Sequence, residues 1–214
     1  MANRNYQFNI IAHHHQKRFY NKDYIYFITT NTHKRFPFFE EDTLCQLFIA
    51  NLRLGKILKN FKLFGFIIIP DHVHLMLKPE GKFNISKIMQ FLKRHFSRDI
   101  TSLFNINNEG EIRESRLQGG DYKDFSHIIY LHDNVLKQLK NQFIKKYGQP
   151  QCRLPKFKWQ QSFHDHVIRG EKDFNKHLNY VARNCVKHKV CEDEFKYKWS
   201  FLNPEFKGLI EDCI

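Results

Sequence analysis

Cysteine is scarce in this sequence and forms no recognisable motif. The five cysteines are an odd number and include no Cys-x-x-Cys pair. They are Cys45, Cys152, Cys185, Cys191 and Cys213. This pattern argues against a disulfide framework and against a zinc knuckle. We therefore expect a reducing, cytoplasmic environment for the protein.

Long apolar runs and acidic residues are also scarce. The longest uncharged apolar run covers 63–70, far shorter than the roughly 20 residues that span a membrane. The segment at 1–5 has no apolar signal character, so we expect no membrane association. Lys and Arg number 35 against 22 acidic residues, which gives a net charge of +13. Such a positive field attracts polyanions, of which nucleic acid is the commonest.

The sequence does have enough apolar material for a folded domain. Hydrophobic residues make up 42% of the 214 residues and aromatic ones 15%, which excludes a disordered chain. Hydrophobic periodicity predicts strands at 24–30, 61–69, 72–78 and 157–169, and helices at 41–59, 84–100 and 171–188. That order predicts an α+β fold of ferredoxin-like type, an antiparallel sheet with helices on one face. We expect one domain over 1–214, with an insertion at 104–156 that includes a short basic helix at 134–146.

Two histidines share one face of the third strand. His72 and His74 lie two residues apart, and side chains at that spacing point the same way in a strand. Together they could hold a divalent ion, and Asp71 could orient one imidazole from outside the ligand shell. The alternative is a pair of half-buried histidines bonded to backbone carbonyls, which an isolated His-x-His pattern favours. A third metal ligand and a nucleophile elsewhere in the sequence are needed to favour a metal site over this alternative.

The last predicted helix supplies candidates for both roles. Tyr180 faces away from the apolar stripe, and Asn184 lies one turn further along the same face. His177, Arg183 and Lys187 border that face. The alternative interpretation is a solvated polar face, and helical spacing alone does not decide between the two.

Other histidines carry weaker hypotheses. His164 and His166 flank Asp165 with the same strand spacing, and a structural or DNA-contacting role is favoured there over a metal site. The tract at 13–15 consists of three histidines in a polar leader, which is more typical of a solvated tail than of a metal site.

Five segments, taken in order, resemble the single-tyrosine HUH transposases, in particular the REP-associated tyrosine transposases and their insertion-sequence relatives. The matching segments are 70–78 with the His-hydrophobic-His motif, 86–93, 159–169, 180–184 with Tyr followed by Asn, and 197–200. Two departures stand out. The family usually continues with Pro after the Asn and then with Arg/Lys-Ala-Gly-Leu, whereas this chain has Cys185-Val-Lys-His-Lys-Val190 after Asn184. The insertion before Trp159 is also longer than in compact members.

The resemblance implies the HUH endonuclease fold and a specific chemistry. His72, His74 and Asn184 would bind Mg²⁺ or Mn²⁺, and Tyr180 would attack a phosphodiester to form a 5′-phosphotyrosine link. The partner would be single-stranded DNA with a hairpin, and the outcome would be DNA transposition or mobilisation of genomic repeats by a monomer or homodimer. The candidate DNA-binding residues are Lys87, Lys93, Arg94, Arg98, Arg183 and Lys187. For the four on the earlier helix, a solvated helix face is about as good an interpretation.

Two other functions remain open from the sequence. One is a hairpin DNA- or RNA-binding module of the same fold without catalysis. The other is a metal-dependent phosphodiesterase that uses water as its nucleophile. Replacing Tyr180 by Phe discriminates among the three, because only the strand-transferase needs the phenol for covalent capture of DNA.

Overall fold

A computed structural model describes residues 20–21, 23–104, 125–148 and 154–211 of the chain. Its main elements, in chain order, are β1 (Tyr26–Asn31), α1 (Asp42–Lys59), β2 (Phe61–Ile69), β3 (His72–Pro79), α2 (Ile85–Phe104), α3 (Ser126–Tyr147), β4 (His164–Val167), α4 (Glu171–Ala182) and α5 (Asn184–Lys187). The histidine tract at 13–15 and parts of the expected insertion lie outside the described residues.

The strands form one antiparallel sheet with the order β2-β3-β1-β4. The expected turn at Pro70-Asp71 joins β2 to β3 as a hairpin in which Ile69 pairs with His72. This order, with α1 and α2 as connections, is the ferredoxin-like arrangement. The predicted α+β fold with an antiparallel sheet is therefore confirmed.

Helices cover both faces of the sheet, where the sequence predicted one. The larger core packs α1 and α2 against the face that carries Val73, Leu75 and Leu77. The smaller core lies on the opposite face, where Val181 and Cys185 of the last two helices pack with residues such as Met76 and Ile67. Because side chains alternate along a strand, His72 and His74 share the face of Met76. The histidine pair therefore lies on the side of the sheet that α4 covers.

The expected insertion includes a helix that belongs to the main core. The helix predicted at 134–146 is longer, since α3 runs over 22 residues. It packs on α1 and α2 and buries Leu136, Leu139 and Phe143. Thus residues 126–147 extend the helical layer of the fold.

The predicted boundaries of the last strand and the last helix were wrong. The strand predicted at 157–169 is only His164–Val167, because Phe157 and Trp159 instead pack with Phe96 in an aromatic cluster. The helix predicted at 171–188 is interrupted at Arg183, whose φ of −89° and ψ of 6° separate α4 from α5. Among the described residues, no helix is long and apolar enough to cross a membrane.

Candidate active site

The histidine pair lies buried under α4. His72 and His74 are 2% and 3% exposed, and their ring centroids are 4.8 Å apart. The flanking Val73 and Leu75 point into the main core on the other side of the sheet. Strand alternation thus explains why two polar rings converge on one buried spot.

Each imidazole is held through its Nδ1 atom. Nδ1 of His74 lies 2.8 Å from Oγ1 of Thr29, its cross-strand partner. Nδ1 of His72 lies 2.5 Å from Oδ1 of Asp71, and Oδ2 of the same carboxylate accepts a hydrogen bond from Arg35. Because a carboxylate accepts only, His72 carries its proton on Nδ1 in this network. Partners of this kind orient imidazoles so that Nε2 is left for a metal ion.

Burial keeps His74 neutral. Desolvation lowers the pKa of His74 to about 3, and the nearby His72, His188 and Arg35 add to the shift. A neutral imidazole offers a lone pair, and Nε2 of His74 is buried without a hydrogen-bond partner among the described residues. Burial acts to raise the pKa of Asp71, but hydrogen bonding and charge from His72 and Arg35 outweigh it and lower that pKa.

Tyr180 of α4 stands beside His74. The two ring centroids are 5.3 Å apart, and Tyr180 is 36% exposed, so its phenol reaches solvent. Nζ of Lys187 lies 3.4 Å from the phenol oxygen and 4.7 Å from the ring centroid. Phe27 packs edge-on against the ring at 5.7 Å. A cavity of about 510 Å³ opens here, and its lining includes Tyr180, Phe27 and Lys187.

Asn184 is buried between two residues that contact the histidine pair. Tyr180, one turn before it, contacts His74, while His188, one turn after it, has its ring 5.0 Å from that of His72. Asn184 is 0% exposed, and neither atom of its amide has a hydrogen-bond partner among the described residues. Leaving a buried polar group unpaired costs about 1–3 kcal/mol. This amide is therefore suited to a ligand that faces the histidines.

A close contact between helix and sheet sets the position of Tyr180. A Cβ atom at Gly65 of β2 would come within 2.9 Å of Cδ1 of Leu178. The missing side chain lets α4 approach the sheet, while Val181 fixes its rotation by packing into the smaller core. Tyr180 consequently faces the histidine pair rather than the core.

The candidate DNA-binding residues separate into two groups. Lys87, Lys93 and Arg94 line an open groove of about 680 Å³ between α2 and the segment 157–163. Lys93 bonds through Nζ to the carbonyl oxygens of Gln160 and Ser162, so it also ties this segment to α2.

Two of the remaining candidates, Arg98 and Arg183, have carboxylate neighbours. Arg98 donates from Nε and Nη2 to Asp99 at 3.0 Å and 2.9 Å, which places it in a structural ion pair. Arg183 and Lys187 line the cavity at Tyr180, and Nε of Arg183 is 3.6 Å from Glu194.

The open groove leads toward the histidine end of the sheet. Asn31 donates from its amide to the side-chain oxygen of Gln160 at 2.9 Å. In the register of the sheet, Asn31 lies opposite His72. The segment that forms one wall of the groove is therefore joined directly to the strand beside the histidine pair.

Several site residues were not identified from the sequence. Phe27, Thr29, Arg35 and His188 all contact the histidines or Tyr180. Alternation along β1 would have placed Phe27 and Thr29 on one face. Pairing Thr29 with His74 requires the strand register, which the sequence pattern does not supply.

The chain is similar to known proteins in three kinds of comparison: a family model, a curated relative and a solved structure. The family model described as "Transposase IS200 like" matches residues 20–124, a range that includes the histidine pair and ends before Tyr180. A Haemophilus influenzae protein named as a REP-associated tyrosine transposase is 25% identical over 154 residues, which are 70% of this chain. The chain spans 64% of that relative's length. A solved structure described as a REP-associated tyrosine transposase bound to a REP hairpin has 19% identity and a TM-score of 0.59, covering 93% of this chain and 89% of that one.

Proposed function

We propose that this chain is an IS200-like transposase, as its similarities indicate, and that it cuts and rejoins single-stranded DNA through a tyrosine–DNA link. One observation carries the proposal. A buried imidazole nitrogen of His74 and the buried amide of Asn184 have no partner among the described residues, and the ring of the solvent-reaching Tyr180 packs against His74. The arrangement is explained if the imidazole and the amide bind a catalytic metal ion and the phenol beside them acts as the nucleophile.

The residues present fit a divalent metal ion. His72 and His74 would offer Nε2, since their Nδ1 atoms are already engaged, and Asn184 would offer its amide oxygen. Two imidazoles and one amide oxygen suit Mn²⁺ at least as well as Mg²⁺. When bound, such an ion polarises the phosphoryl oxygens and stabilises charge on the leaving 3′-oxygen.

Tyr180 supplies the nucleophile in this proposal. A bond forms between its phenol oxygen and phosphorus while the bond from phosphorus to the 3′-oxygen breaks. The phenol proton passes to solvent, and the 3′-oxygen takes up a proton. The products are a 5′-phosphotyrosine link and a free 3′-hydroxyl. Because the link is itself a phosphodiester, a second 3′-hydroxyl can reverse the reaction and complete strand transfer.

The positive charge of Lys187 stabilises the attacking oxygen. Its ammonium lies 3.4 Å from the phenol oxygen, so negative charge that develops there during attack is favoured. Lys187 therefore has a role in the chemical step besides any contact with DNA phosphates.

Single-stranded DNA next to a hairpin is the substrate that these surfaces suit. Unpaired bases stack on aromatic rings while Lys and Arg follow the phosphates. Phe27 forms part of the cavity wall beside Tyr180, and Lys176, Arg183 and Lys187 line the same cavity. The open groove between α2 and the segment 157–163 adds the cationic side chains of Lys87, Lys93 and Arg94. The similar solved structure is described as bound to a REP hairpin, which supports a hairpin as the element recognised here.

Covalent capture tests the proposal. The purified protein is incubated with Mn²⁺ or Mg²⁺ and labelled single-stranded hairpin oligonucleotides from the DNA that flanks its gene. We expect a protein–DNA band that survives denaturation, and that is lost with EDTA and in Tyr180→Phe. Tyr130→Phe is the matched control, because Tyr130 is 61% exposed on α3, which belongs to the helical layer on the opposite face of the sheet from α4. Binding without a band in any metal or sequence would favour a non-catalytic module, and cleavage that survives Tyr180→Phe would favour water as nucleophile.

A further inference from the structure

A second group of metal-ligating side chains lies between β4 and α4. His166 of β4 and Asp173 and His177 of α4 each bring one nitrogen or oxygen atom within 4.8 Å of the others. Nε2 of His166 is 2.9 Å from Oδ2 of Asp173, and Nδ1 of His177 is 3.0 Å from Oδ1. The two imidazole rings lie nearly parallel, with centroids 4.6 Å apart. We call these three residues the edge trio.

The fold brings the edge trio together through local geometry. Asp173 and His177 are one helical turn apart, so their side chains are neighbours on the surface of α4. His166 pairs with Phe27 across the β1–β4 register, and its side chain reaches α4. Asp173 is oriented further by the backbone N–H of Arg169, which donates to Oδ2 at 2.9 Å. The carboxylate is thus held in place independently of the two histidines.

We propose that the edge trio binds a divalent transition-metal ion such as Zn²⁺ or Co²⁺. Two imidazoles and one carboxylate suit these ions better than Mg²⁺, which prefers oxygen ligands and retains its waters. In a tetrahedral site with bonds of about 2.0 Å, ligand atoms lie about 3.3 Å apart. The nitrogen–oxygen separations of 2.9 Å and 3.0 Å, each to a different oxygen of the carboxylate, are a few tenths of an ångström shorter, so a small outward shift of the side chains would admit an ion. On binding, the ion displaces to solvent the proton that His166 shares with the carboxylate and the one that Nδ1 of His177 shares with the backbone carbonyl oxygen of Asp173, 2.9 Å away. The half-exposed His166 leaves water access to the remaining positions.

This site is distinct from the one at the histidine pair of β3. Phe27 lies between them, with its ring centroid 4.9 Å from that of His177 and 5.2 Å from that of His74. An ion in the edge trio ties the edge strand β4 to α4, three residues before Tyr180. Its role is therefore to position the helix that carries the nucleophile, not to contact the scissile phosphate.

Counting bound Co²⁺ tests this proposal without DNA. The full-length protein and its variants are titrated with Co²⁺ and followed by the visible absorption of the bound ion. His166→Ala removes a half-exposed ligand, whereas Asp173→Asn keeps an acceptor for the N–H of Arg169. His164→Ala, an exposed histidine on the same strand outside the trio, is the matched control. The histidine tract at 13–15 is present in every variant, so its contribution cancels.

We expect His166→Ala and Asp173→Asn each to bind one Co²⁺ equivalent fewer than the wild type, and His164→Ala to match it. The double variant His72→Ala/His74→Ala should keep the equivalent that His166→Ala loses. Equal binding in the wild type, His166→Ala and Asp173→Asn would overturn the proposal and leave the trio as a hydrogen-bonded cluster. A loss in the His164 control would overturn it too. None of these results depends on covalent capture of DNA, so the two proposals fail separately.

Discussion

The ammonium of Lys187 beside Tyr180 gives a quantitative test of the nucleophile. At the observed 3.4 Å, a full negative charge on the phenol oxygen would be stabilised by about 1.2 kcal/mol in a fully aqueous dielectric and by about twice that at half its value. Lys187 is exposed, so solvent screening keeps the effect near the lower figure. We expect Lys187→Met to slow formation of the tyrosine–DNA link by about fivefold to tenfold, and Lys187→Arg to restore much of the rate.

The assay must separate chemistry from DNA binding. Covalent capture is followed in single turnovers at saturating DNA, and affinity is measured separately with Tyr180→Phe as background. Lys189→Met removes the same charge two residues further on, past the end of α5. It should leave the saturated rate unchanged. The Lys187 effect should also shrink between 0.05 and 0.3 M salt, because screening shortens the range of exposed charges. A Lys187→Met protein that binds DNA more weakly but reacts at the wild-type rate when saturated would refute this reasoning.

Three further outcomes are expected. His72→Ala should abolish covalent capture while His164→Ala leaves it measurable, and the reverse ranking would contradict the assignment of the metal ligands. Burial holds the pKa of His95 at about 4, so the unfolded chain binds its proton first as the pH falls. Between pH 7.5 and pH 5 this should lower the free energy of unfolding by about 2 kcal/mol. In His95→Phe, the free energy of unfolding measured in urea should fall by about 2 kcal/mol less over the same pH range. Gly65→Val should crowd Leu178, destabilise the protein by about 1–3 kcal/mol in urea and reduce capture, because it displaces α4.

Strand alternation and helical spacing were sufficient to locate the central residues. The two-residue spacing of His72 and His74 placed both rings on one face, as the structure has them, and the exclusion of Tyr180 from the apolar stripe agrees with its position beside His74. These rules operate within a single element, so they need no knowledge of the fold. The roles assigned to these residues stay predictions until the metal and the link are measured.

The sequence pattern failed where tertiary packing decides the conformation. The aromatic stretch before His164 has the composition of a strand. Yet β4 pairs with only four residues of β1, and the rings of Phe157 and Trp159 pack on the main core instead of extending the strand. The β-strand propensity of a residue describes how well it suits a pleated surface. It does not indicate whether a neighbouring strand is available for pairing.

The extent of α3 also depends on contacts that no periodicity reveals. His132 is buried and lies 3.0 Å from Asp99 of α2, which accepts a further hydrogen bond from Asn51 of α1 at 2.9 Å. A buried carboxylate satisfied by two helices holds all three together. In the sequence these are three unrelated polar residues, so the helix was predicted only where its basic and apolar residues made it evident.

The segment after Asn184, where the sequence departs from the motif that it otherwise resembles, ends α5 in a regular helix cap. Lys189 adopts the left-handed conformation, with a φ of 56°, that glycine favours at a helix end. Its N–H bonds to the carbonyl of Val186, and the N–H of Val190 bonds to that of Cys185 at 2.8 Å. These are the two hydrogen bonds of a Schellman cap. Cys185 is buried in the smaller core, so packing and capping together fix the backbone on both sides of Asn184 without the proline that the family has there.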